Sequence, residues 1–197
     1  MLDNMVATRE QILVEEPIQS QVVTACQAGD REALRSLFEA YKDRVYSIAF
    51  YSLAGDEAAA ADMTQQVFLK LMTRIRQFRG DSEFTTWLYR LVVNTCRDEQ
   101  RKQGRLVAMP ELELVETESA DTPVTSYARR ELASQVQSAV ASLKPKLRWP
   151  IVLKYSQELS YEEIAMVLGC SKGTVASRLN RAHRALAKKL GQLRGQI

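Results

Sequence analysis

The sequence predicts an all-α fold, built as two small helical domains joined by an acidic flexible linker. Apolar residues recur at helical spacing in nearly every segment, no strand-like alternation punctuated by turns occurs in either half, and charge divides the chain into blocks of opposite sign. The 197 residues are 46% hydrophobic and 26% charged, a globular composition long enough for one ordinary domain or two small ones.

Residues 1–19 form an N-terminal extension with no assigned role. They carry Asp3, Glu10, Glu15 and Glu16 and lack both a basic start and a long apolar run, so they do not resemble a secretory signal. No later segment approaches the roughly 18 uncharged apolar residues of a membrane span. A soluble, cytoplasmic protein without membrane insertion is expected.

An N-terminal domain is expected over residues 20–106. Leu34, Leu37, Phe38, Tyr41, Val45, Ile48 and Ala49 mark one amphipathic helix, with Asp30 available as its N-cap after Gly29. A second helix is predicted from about Asp56 to Phe78 and a third from about Ser82 to Lys102. Ser82 is the candidate cap of the third, and Phe84, Trp87, Leu88, Leu91 and Val92 form its apolar stripe.

Residues 107–128 read as the linker. Glu111, Glu113, Glu116, Glu118 and Asp121 face no Lys or Arg there, and Pro110 and Pro123 interrupt any long helix. Over the C-terminal domain, residues 129–197, thirteen basic residues oppose four acidic ones, Glu131, Glu158, Glu162 and Glu163. The modest net charge of +3 therefore conceals a strongly basic half suited to a polyanion.

That half contains the sharpest local pattern, Ser160 through Leu179, which reads as a helix-turn-helix. Ser160 and Glu163 form a capping box, Ile164, Ala165 and Leu168 supply an inward face, Gly169 suits a left-handed helix end, and Ser171 can cap the next helix. The small Ala165 permits close approach, while Val175 and Leu179 turn the second helix's apolar edge onto the first. The other edge is left for DNA. Ser177, Arg178 and Arg181, with Ser171, Lys172, Thr174 and Asn180 at the flanks, suit base edges and phosphates in a major groove. The alternative is a helical hairpin with a solvated basic face.

In the N-terminal half, Asp62, Gln65, Gln66 and Phe68 lie near one side of the second helix, which is either an interaction surface or a solvated face. Phe78-Arg79-Gly80-Asp81-Ser82 then joins a glycine turn to a basic, aromatic-rich helix containing Trp87, Arg90, Asn94, Arg97 and Arg101. Rings interleaved with guanidinium groups suit unpaired bases, although residues such as Phe84 and Trp87 are more often core than stacking residues.

Three of these segments occur in one order: Asp62-Met63-Thr64-Gln65-Gln66-Val67-Phe68-Leu69, then Phe78 through Arg90 and Asn94, then Leu159 through Leu179. In that order, over roughly residues 20 to 190, the chain closely resembles the extracytoplasmic-function sigma factors of the bacterial sigma-70 family. The resemblance implies a factor that binds bacterial RNA polymerase core and directs initiation at specific promoters in answer to stress, under the control of an anti-sigma factor. It implies core-polymerase binding through Asp62, Gln65, Gln66 and Phe68. It assigns minus-ten promoter DNA to Arg79, Gly80, Asp81, Ser82, Trp87, Arg90, Asn94, Arg97 and Arg101. Minus-thirty-five DNA falls to Ser171, Lys172, Thr174, Ser177, Arg178, Asn180 and Arg181, and the acidic linker would thread the polymerase's RNA exit channel.

Two departures from the family pattern stand out. Ala176 occupies a place where a basic residue is common, and Pro150 falls early in the preceding helix, tolerable if that helix starts near Lys146 so that the missing N–H is a terminal orphan. No catalytic residue, cofactor or metal is expected. Cys26, Cys96 and Cys170 are widely spaced and read as ordinary reduced thiols, and the single histidine, His183, would have to carry any His-based chemistry alone. A DNA-binding regulator that does not engage polymerase is the competing reading, but no phosphorylatable α/β domain is visible. A nuclease is disfavoured because Asp56 and Asp62, six apart on a helix, point in different directions.

Overall fold

The computed structural model describes residues 16–106 and 124–194, with side-chain environments for 20–102 and 131–191. The linker carboxylates Glu111 to Asp121 and the first fifteen residues lie outside the described residues. Among the described residues there are eight α-helices and no strand: α1 (Glu16–Ala28), α2 (Arg31–Ser52), α3 (Glu57–Arg74), α4 (Phe84–Leu106), α5 (Val124–Ala141), α6 (Pro145–Ser156), α7 (Tyr161–Leu168) and α8 (Lys172–Arg194). None of these helices is long and apolar enough to cross a membrane.

Helix α2 starts where its cap predicts, because Asp30 accepts hydrogen bonds from the backbone N–H groups of Glu32 at 2.8 Å and Ala33 at 3.3 Å. Its inward stripe of Leu37, Tyr41, Val45, Ile48 and Ala49 is buried against α1, α3 and α4. Asp56 caps α3 through Ala59 N–H at 2.9 Å. Helix α3 ends at Arg74, four residues short of expectation, and tightens into a 3-10 turn over Ile75–Gln77. Gln27 of α1 holds that turn by donating to the carbonyls of Ile75 at 3.0 Å and Phe78 at 2.8 Å, a long-range constraint that no local periodicity reveals.

Helix α4 begins at Phe84, and Ser82 does not cap it. Its hydroxyl donates to Glu83 O at 3.4 Å, while Glu83 O accepts the first helical bond, from Trp87 N–H. The start is fixed instead by packing: the Phe78 ring meets Phe84 at 5.5 Å and Trp87 at 5.6 Å between centroids, pinning both sides of the intervening loop. Phe84 is buried and Trp87 half-buried against the core, so both rings serve the core.

In the C-terminal half, α6 begins with Pro145 at its first position, and Arg148 N–H already bonds to Lys144 O at 3.1 Å. Pro150 is therefore interior to the helix rather than among its orphan positions. Its missing N–H leaves the Lys146 carbonyl without the usual partner, and the buried ring contributes apolar surface among Trp149, Ile151, Val152 and Leu153. Helix α7 carries the complete capping box: Glu163 N–H to Ser160 Oγ at 3.2 Å and Ser160 N–H to Glu163 Oε2 at 2.7 Å. It ends on Gly169 in the left-handed conformation, φ 64° and ψ 46°. Ser171 Oγ then accepts from Thr174 N–H at 3.2 Å, and Val175, Leu179 and Ala182 seat α8 on α6 and α7.

The two halves pack on each other. Helix α6 lies on α2, α7 lies on α4, and α5 reaches the α2–α3 turn. There the Gln137 side chain lies against Gly55, whose φ of +87° is the left-handed conformation that favours glycine. Arg148 bridges the halves by donating to Ser52 O at 2.7 Å and, on its own side, to Leu143 O at 3.0 Å and Ala141 O. Burial lowers the pKa of its guanidinium, and Nε has no partner among the described residues.

Candidate nucleic-acid interface

On α3, Asp62, Gln65 and Gln66 are exposed as one patch. Phe68 is not part of it. Six residues beyond Asp62 on a 3.6-residue helix, it lies about 120° away, and it is only 8% exposed, in edge contact with Phe38 at 4.7 Å. The apolar members of the surface are Leu69, 64% exposed, and Met72, 55% exposed. Sequence reasoning missed both. Their positions seven and ten residues after Asp62 were the available clue, since both share its face.

The Arg79–Ser82 loop projects from the Phe78–Phe84–Trp87 cluster, with Arg79, Gly80 and Asp81 exposed and Gly80 at φ +79°. Beyond it, α4 turns Arg90, Asn94, Arg97 and Arg101 to one side at helical spacing, while Leu88, Val92 and Cys96 are buried. Two members of this side meet the C-terminal half, while Asn94 and Arg101 are exposed. Arg90 donates to Met166 O of α7 at 2.8 Å, its neighbour Tyr89 donates to Gln157 at 3.0 Å, and the Arg97 guanidinium lies 5.9 Å from the Trp149 ring centroid. Burial, with Arg178 and Arg101 nearby, lowers the pKa of Arg97.

On α8, Ser171, Lys172, Ser177, Asn180 and Arg181 are exposed along the edge opposite Val175 and Leu179. Arg181 is held over the helix by bonds to Ser177 O and Oγ, both at 3.2 Å. Thr174 shares its hydroxyl with Ser171 at 2.9 Å, and Lys172 pairs with Glu162, whose carboxyl is held below its ordinary pKa by that hydrogen bond. Arg178 is half-buried near Cys170 Sγ, at 3.8 Å. The edge thus offers donors and acceptors for base edges and a positive field for phosphates, without an acidic side chain on α8 itself.

Burial raises the Cys26 thiol and pushes Cys96 up to about 12, so neither supplies a thiolate near neutral pH. Among residues 20–102 and 131–191, no three His, Cys, Asp or Glu side chains gather in a metal-like cluster.

Residues 37–106 match the family profile Sigma-70 region 2, and residues 133–186 match Sigma-70, region 4. The chain is 35% identical over 191 residues to the ECF RNA polymerase sigma-E factor of Escherichia coli (strain K12), covering 91% of this chain and 98% of that protein. It is 33% identical over 182 residues to the RNA polymerase sigma-H factor of Pseudomonas aeruginosa, covering 88% of this chain and 94% of that one. Among solved structures, CnrH in complex with the cytosolic domain of CnrY is similar at a TM-score of 0.64 and 26% identity, covering 87% of this chain and 96% of CnrH. The fold is also that of RpoE from Bartonella quintana, solved with the anti-sigma factor NepR, at a TM-score of 0.62 and 22% identity over 80% of this chain and 96% of that one. Two sigma-70 region profiles in order and 35% identity to a sigma-E factor over 91% of the chain establish that it belongs to the extracytoplasmic-function sigma factors of the sigma-70 family.

Proposed function

We propose that this sigma factor acts in the cytoplasm as a non-catalytic initiation subunit, with its three surfaces divided among polymerase, the minus-ten element and the minus-thirty-five element. The exposed patch of Asp62, Gln65 and Gln66, extended by Leu69 and Met72, is the polymerase-docking surface. Phe68 supports it from beneath. The Arg79–Ser82 loop and the α4 side bearing Arg90, Asn94, Arg97 and Arg101 open and hold the minus-ten element. Trp87 sets the loop's angle from within the aromatic cluster. Ser171, Lys172, Thr174, Ser177, Arg178, Asn180 and Arg181 read the minus-thirty-five element in the major groove. Residues 20–106 and 129–197 act as the two working domains.

The observation that carries this reading is the presence, in one chain, of a capped helix-turn-helix and a separate basic loop-and-helix face. A regulator needs only the first. An anti-sigma factor is the regulatory partner in this reading, because the α4 face and the helix-turn-helix lie side by side and one inhibitor can cover both.

The test is transcription in vitro with purified bacterial core polymerase on a pool of genomic promoter fragments, followed by sequencing of RNA starts. New starts that share two spaced upstream elements are expected only when the protein is added. DNA binding without new starts would favour the regulator.

A further inference from the structure

Between the halves, Arg97 and Arg101 of α4, Lys146 and Trp149 of α6, and Arg178 of α8 line a cleft of about 390 Å³. That volume lies in the range of small-molecule sites and leaves no room for a duplex. Four cationic side chains from three helices converge there. Among the described residues no carboxylate lines the cleft, and Asp98, paired with Arg101 at 3.7 Å, has its side chain in solvent. Lys146 stands in the first turn of α6, which adds the positive end of a helix dipole. Trp149 fixes Arg97 in place across its ring face. Arg97 and Arg178 are half-buried while Arg101 and Lys146 reach solvent, and burial first, then the nearby Arg178 and Arg101, lowers the pKa of Arg97, so an anion in the cleft would offset the repulsion among the four.

We propose that this cleft binds a polyphosphate group, carried by a nucleotide or free, and that its occupancy clamps the two halves together. A ligand that touches α4 on one side and α6 and α8 on the other stabilises only the arrangement in which they meet. Arg97, Arg101 and Arg178 are also the side chains assigned above to promoter DNA. Ligand and promoter therefore exclude each other, a consequence that rests on the proposed sigma function, whereas the binding itself does not.

The experiment is calorimetric titration of the full chain with sodium tripolyphosphate at constant ionic strength, with a parallel arm using a nucleoside triphosphate. Saturable one-to-one binding is expected with Kd below about 1 mM. Lys146→Glu is expected to weaken it about tenfold or more, the effect of losing one charge-assisted contact, while Lys188→Glu, the same charge change elsewhere on the basic half, leaves it nearly unaltered. Both lysines are exposed, so neither variant threatens folding. Bound tripolyphosphate should also slow amide exchange across Tyr161–Leu168, where α7 meets α4. Equal affinity in the two arms assigns recognition to the phosphates alone, and a tighter nucleotide arm assigns part of it to the base and sugar. No saturable binding, or equal weakening by the two variants, would overturn the site. Because the assay contains neither polymerase nor DNA, its failure leaves the transcription result untouched, and Lys146→Glu should retain promoter-directed initiation.

Discussion

Helices α4 and α8 are both 23 residues long and basic on one side, yet the structure uses those sides differently. On α4, Arg90 is bonded to Met166 O and Arg97 lies over Trp149, while Asn94 and Arg101 stay exposed. The α8 edge stays open at Ser177, Asn180 and Arg181, and only Arg178 joins the contact zone. Two faces of similar composition thus differ in engagement: the α8 edge is largely open as the molecule stands, while Arg90 and Arg97 of α4 are tied to the other half, and on the proposed function freeing them for the minus-ten element requires the halves to part. That parting breaks the bonds Ser47–Ser156, Tyr89–Gln157, Arg90–Met166 and Arg148–Ser52 and also divides an apolar core that the two halves share.

The largest expected effect is on the bridge between the halves. Arg148→Ala removes the donor to three carbonyls on α2 and around the end of α5, and should cost about 2 to 4 kcal/mol in urea unfolding while increasing the radius of gyration. An unchanged radius would mean that apolar packing alone holds the halves together. Next in size, Arg181→Ala should lower affinity for a minus-thirty-five duplex by about 1 to 3 kcal/mol with core binding intact, measured by fluorescence anisotropy. Unchanged promoter selectivity would remove the α8 edge from the interface. Asp62→Ala should weaken core-polymerase binding by about 1 to 2 kcal/mol and leave isolated minus-thirty-five binding alone. Equal loss of both would contradict a separate docking patch. Smallest is Arg90→Ala, which deletes one exposed bond to Met166 O. It should cost about 1 kcal/mol or less and raise amide exchange in α7 more than in α8, sharpening the contrast between the closed and open faces.

The helix-turn-helix was legible almost residue by residue, because its signals are local. Ser160, Glu163, Gly169 and Ser171 act within one turn of where they stand, and each makes the bond its chemistry predicts. The start of α4 was misread for the opposite reason: Ser82 has the chemistry of a cap, but the Phe78–Phe84–Trp87 cluster sets the entry to the helix two residues later. Phe68 failed similarly. Its place in a familiar motif suggested the surface, while its angle on α3 sends it to the core and leaves Leu69 and Met72 outside. Pro150 shows a third way for local rules to lose, since burial among apolar neighbours outweighs one missing helical bond.

By itself the sequence determined the all-α class, the order of the motifs and the family, because helical period, caps and charge blocks are encoded by residues close together along the chain. Only the tertiary structure decided that Arg90, Arg97 and Arg178 gather where the two halves meet, that Arg148 spans them, and that Gln137 comes to rest against Gly55. Those contacts join residues far apart in sequence. Their partners are selected by packing and by the need to satisfy buried carbonyls and cations, quantities that no local pattern contains.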